Sequence, residues 1–117
     1  MKQIIGAQGE ITIIKIDALP KGIETRPATQ RNAKGQIIIS HSKSGAHHVL
    51  TGGEVLERVE KVPAGMAILY AMFDKPESLI QDAPVPHGGY DLPAGIYELR
   101  ISREFDPFAE QARRVAD

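Results

Sequence analysis

Apolar residues in this chain fall in short runs separated by turns built on proline and glycine. Residues 10–16 place isoleucines at 11, 13, 14 and 16 around Thr12 and Lys15. That β-branched content predicts a strand. Ile14 breaks strict alternation, which marks either a bulge or a strand buried on both faces. Leu19-Pro20-Lys21-Gly22 then makes a turn, and the polar residues 23–34, with Pro27, read as a loop or at most an edge strand. Ile37-Ile38-Ile39 is the strongest strand signal and predicts a central strand.

Residues 49–56 read as a strand, a Gly52-Gly53 hairpin turn and a second strand. From Val55 the apolar spacing fits a helix as well as a strand. Gly52-Gly53 and Pro63-Ala64-Gly65 bracket a short valine-rich run, which favours strand. Residues 66–73 are the most apolar window and read as a core strand, although periodicity alone does not separate this from a buried helix. A proline-rich connection follows, with a short strand at Ser78-Leu79-Ile80. Residues 96–103 alternate, which turns Tyr97, Leu99 and Ile101 inward and Glu98, Arg100 and Ser102 to solvent. Beyond them, Asp106 and Pro107 fit the cap and first position of a short C-terminal helix. The turns Val62-Pro63-Ala64-Gly65 and Leu92-Pro93-Ala94-Gly95 are near copies, read as two answers to one hairpin-entry problem. The expected fold is all-β: one domain over residues 1–117, a small β-sandwich or barrel of about eight short strands with that terminal helix.

Charge and composition narrow the function. Fourteen Lys and Arg stand against fifteen Asp and Glu, with no basic stripe, so no nucleic-acid partner is expected. The absence of cysteine excludes disulfide scaffolds, zinc ribbons and thiol nucleophiles. The first residues lack the long apolar core of a signal peptide, and no window reaches the roughly twenty apolar residues of a membrane span. A cytoplasmic (host cell) or virion location follows, with no membrane partner. No G-x-S-x-G elbow or Walker-type loop is present.

The one concentration of chemistry is histidine. His41, His47 and His48 follow the isoleucine run, and His87 lies in the proline-rich connection. Neutral imidazole is the commonest metal ligand, so histidines from two strands can hold a divalent transition metal. Adjacent residues of a strand face opposite ways, so only one of His47 and His48 would join such a site. The set to test is His48 with His87, joined by His41 and a carboxylate such as Glu54, with His47 as the remaining candidate ligand. The alternative is that these are solvated loop histidines. A cupin-type metal motif needs two histidines one residue apart, and His47 and His48 are adjacent.

Further motifs carry a resemblance. Gln8-Gly9-Glu10-Ile11 and Leu19-Pro20-Lys21-Gly22 open the chain, and Gly45-Ala46-His47-His48 stands in its middle. The segment from His87 to Tyr97 includes Leu92-Pro93-Ala94-Gly95. Ser102-Arg103-Glu104-Phe105-Asp106-Pro107 and Arg113-Arg114-Val115-Ala116-Asp117 close the chain. Together they resemble a widespread, largely uncharacterised group of small phage and bacterial β proteins. That group's pattern contains G-H-x-H, H-x-x-H-x-P-I-x-L-P-x-G-x-Y and Q-R-E-Y-x-P. Here Ala46 and Pro84 replace the first histidine of each pair, and only His48 and His87 match. The resemblance implies a phage or prophage setting. The expected function is therefore a small non-enzymatic binding protein, such as a capsid-decorating virion component, working through a protein partner or self-association. Residues 10–16 are the edge strand expected to make such a contact. The alternative is a metal-binding enzyme or sensor built on His48 and His87.

Overall fold

The computed structural model describes residues 2–8, 10–41, 47–82 and 89–102. Ten strands follow in order: β1 (Gln3–Gln8), β2 (Ile11–Ile16), β3 (Thr25–Pro27), β4 (Ile37–Ser40), β5 (His48–Leu50), β6 (Glu54–Arg58), β7 (Met66–Phe73), β8 (Glu77–Gln81), β9 (Gly89–Leu92) and β10 (Gly95–Ser102). They form a six-stranded sheet, β1-β2-β10-β7-β6-β3, and a four-stranded sheet, β4-β5-β8-β9, with every pair antiparallel. The described residues contain no helix, and the segment expected to form the terminal helix lies outside them. No helix among the described residues is long and apolar enough to cross a membrane.

The core lies between the sheets. Ile11, Ile13, Leu69, Tyr97, Leu99 and Ile101 from the larger sheet meet Ile37, Ile39, Leu50, Leu79 and Leu92 from the smaller. Two sheets packed across a shared core is the arrangement of a sandwich, and the described strands do not close into a barrel. β2 resolves the Ile13-Ile14 ambiguity. Ile11 and Ile13 enter the shared core, while Ile14 and Ile16 join a second cluster with Ile68 and Tyr70 on the outer face. The bulge belongs to its neighbour: Ile4 pairs with Ile14 and Gly6 with Ile13, which leaves Ile5 as the extra residue.

Residues 55–73 hold two strands and no helix, with β6 and β7 joined as a hairpin across residues 59–65, which include the Pro63-Ala64-Gly65 turn. Other expectations need correction. β2 is flanked by β1 and β10, so residues 10–16 are not an edge; the edge is β1. β4 ends the smaller sheet rather than standing at its centre, and its outer side is covered where the Ile38 N–H donates to the Gln30 carbonyl at 3.0 Å. Gly52-Gly53 is not a hairpin turn, because β5 and β6 lie in different sheets. The chain crosses there between the sheets in tight quarters. Gly53 has φ +93°, and a Cβ on it would meet the Phe73 ring at 2.4 Å. Leu92-Pro93-Ala94-Gly95 is likewise a crossing, from β9 to β10, so the two similar turns serve different ends. Finally, Glu98 is only 2 % exposed. It sits opposite Ile14 and Tyr70, on a face the second cluster covers.

Candidate functional site

His41, His47 and His48 lie at the end of the molecule where the two sheets are tied together. The Ser40 hydroxyl, at the close of β4, donates to the Glu10 carboxylate just before β2. The Ser102 N–H donates to the Glu10 carbonyl at 3.1 Å, so β10 ends at the same place. A shift of register between Ile38 and Ser40 sets Ser40 opposite His48, and His48 in turn faces Gln81 of β8.

His41 is exposed, and its Nε2 lies 2.5 Å from the Gln30 Oε1, a contact in which the ring N–H donates to the amide oxygen. The rings of His41 and His47 meet edge to face with centroids 4.9 Å apart. The His47 carbonyl accepts the Asp82 N–H at 2.7 Å. The Asp82 carboxylate accepts from Asn32 Nδ2 at 3.0 Å and from Lys34 Nζ at 3.4 Å. The Asn32 hydrogen bond first, then the charges of Lys34 and His47, hold its carboxyl below the usual range. His48 differs from its neighbours: its Nδ1 is buried and has no hydrogen-bond partner among the described residues. A buried ring nitrogen can accept a proton or hydrogen bond, donate one, or bind a metal, according to its tautomer.

Beside this end lies an open cleft of about 620 Å³, floored by Ile39, Leu69 and Ile101. Its wall carries His41 and the Arg26–Glu57 ion pair, which closes at 2.5 Å.

The structure brings His41 and His47 together and sets His48 on the strand that follows. His87 lies outside the described residues, in the connection that leaves β8 after Gln81, the partner of His48. Among the described residues, no group of three or more His, Asp or Glu side chains is arranged to hold a metal. Glu54 does not join the histidines. It pairs with Met72, Met72 with Ile96, and Ile96 with Ile16, which places it at the far end of the sheet from Glu10. Among the described residues, Glu10 and Asp82 are carboxylates at the histidine end, and sequence reasoning missed both. One signal for Asp82 was available: Asn32 opens a turn in which its Oδ1 accepts the N–H groups of Lys34 and Gln36. That turn presents both Asn32 Nδ2 and Lys34 to a nearby acid.

No curated protein and no solved structure matches this chain. Residues 7–102, from the end of β1 through β10, match the family described as Domain of unknown function (DUF8820), and the chain belongs to that family.

Proposed function

We propose that this chain is a non-enzymatic binding domain acting in a phage or prophage setting, as a component of the particle such as a capsid-decorating protein. The observation that carries the reading is β1, which ends the six-stranded sheet with Ile4 73 % and Ile5 37 % exposed. An apolar sheet edge is a template for adding a protein strand, and evolution normally guards such edges. The end motifs, Ser102 to Pro107 and Arg113 to Asp117, support the phage setting by resemblance. The test is to induce a prophage that carries the gene, band the particles on a density gradient and quantify the chain by mass spectrometry. The chain banding in many copies per particle is the expected result. Recovery only from the soluble fraction overturns the virion role.

A second reading is favoured by the buried Nδ1 of His48, which has no hydrogen-bond partner among the described residues. In it a divalent transition metal is held by His48 and His87, with His41 or His47 completing the site of an enzyme or sensor. Elemental mass spectrometry on protein purified without chelator decides it. Near one metal per chain, with a thermal stabilisation lost in His48→Ala and in His87→Ala, supports this reading. Metal-free protein whose unfolding ignores added metal removes it.

A further inference from the structure

Proteins protect exposed sheet edges with charge, proline, short strands, bulges or covering chain. Three of the four edges here follow that rule. β3 is three residues long and carries Arg26 and Pro27. β4 is covered by Gln30 and by the Arg31–Ile37 bridge. β9 is short and carries the exposed Asp91. β1 is six residues long, reads Gln-Ile-Ile-Gly-Ala-Gln, and has no charge and no proline. Its irregularity does not shield it. The bulge at Ile5 leaves two adjacent isoleucines exposed, and bulges commonly re-aim side chains at sites of use. The inner face of the same strand is fixed, since a Cβ on Gly6 would meet the Tyr90 hydroxyl at 2.5 Å. The rest of the fold thus holds the strand in place, and among the described residues no strand pairs with its outer edge.

Resting on the reading of the chain as a protein-binding domain, we infer that the partner at this edge is a second copy. β1 pairs antiparallel with its own counterpart about a two-fold axis near Ile5, which joins the two six-stranded sheets into one. Self-pairing suits this strand for two reasons. A neutral strand laid against itself sets no like charges opposite each other, and a two-fold axis at the bulge packs Ile4 and Ile5 against the same residues of the other copy. The guarded β3 at the far edge stops growth, so the contact closes at a dimer and does not run on as a fibre.

Light scattering with sedimentation equilibrium on the full chain tests this. Twice the chain mass is expected for the native protein, and the single-chain mass for Ile4→Lys/Ile5→Lys with an unchanged circular dichroism spectrum. An independent variant uses the absence of cysteine. Ile5→Cys forms a disulfide-linked dimer without reductant, whereas Lys21→Cys, on an exposed turn, does not. A native protein that stays monomeric at several hundred micromolar overturns the inference, as does an assembly that survives Ile4→Lys/Ile5→Lys. A monomer that still bands with particles refutes self-pairing alone. A dimer missing from particles refutes the virion role alone.

Discussion

Glu98 offers the sharpest test of the packing, because its charge is buried while its partners are not. The side chain is 2 % exposed, opposite Ile14 and Tyr70. Its carboxylate accepts from Arg100 Nε at 2.6 Å and lies 3.6 Å from Lys2 Nζ. Arg100 is 43 % exposed and Lys2 62 %. Arg100→Met leaves a buried carboxylate with one long contact to an exposed lysine. Breaking a fully buried pair costs about 3–5 kcal/mol. The exposure of Arg100 and the remaining Lys2 reduce that here to about 2–3 kcal/mol. Glu98→Leu behaves differently. It removes the desolvated charge together with the pair, extends the apolar cluster, and leaves both cations free to hydrate. Its net effect lies within about 1 kcal/mol of zero. Urea unfolding followed by circular dichroism separates the two. With a slope of about 2 kcal/mol/M, Arg100→Met lowers the midpoint by about 1 M, and Glu98→Leu moves it by less than about 0.5 M. A Glu98→Leu loss as large as that of Arg100→Met, or an Arg100→Met midpoint equal to the native one, refutes the reasoning.

Other substitutions probe other parts of the frame. Tyr97→Phe removes a hydroxyl that donates to the Pro93 carbonyl at 2.7 Å and costs about 1 kcal/mol in urea unfolding at neutral pH. Burial pushes the Tyr97 phenol up, so its contribution is complete below the ordinary value of about 10 and is lost as pH rises through the higher folded value. The gap between native protein and Tyr97→Phe therefore narrows in alkali. Gly53→Ala forces a Cβ at φ +93° against Phe73 and costs about 2 kcal/mol, read as a melting temperature roughly 8 °C lower. The depressed pKa of Asp82 gives stability that is present above the ordinary carboxylate value of about 3.9 and is lost as pH falls through the lower folded value. Thermal unfolding of Asp82→Asn against native protein should show a difference that closes with acid.

Much of the strand content was legible because β-branched runs and proline-glycine turns are local signals. Residues 66–73 became β7, and the run read over 96–103 became β10, Gly95–Ser102, with the two strands paired along their full length. Sheet membership was not legible. Gly52-Gly53 has the composition of a hairpin turn, yet its glycines answer to Phe73 and Glu77, contacts that exist only once the sheets are stacked. Ile37-Ile38-Ile39 has the composition of a central strand, and a covering chain at Gln30 and Arg31 supplies on one side what a neighbouring strand would have supplied. Glu98 obeys the alternation expected of a solvent-facing residue. Leu19 and Val62 pack against the outer cluster around it, and nothing within β10 announces them. At the candidate site the grouping of His41 and His47 followed from sequence proximity. Glu10 and Asp82 did not, because their partners, Ser40 and Asn32, lie thirty and fifty residues away.

Amide hydrogen exchange along β1 bears most directly on the account, because it reads the edge itself. The outward amides of Gln3–Gln8 are predicted to exchange fast in dilute protein and to slow as the concentration is raised into the hundreds of micromolar, while β3 at the far edge does not change. Exchange along β1 that is fast and the same at every concentration would contradict a binding edge that closes on a second copy.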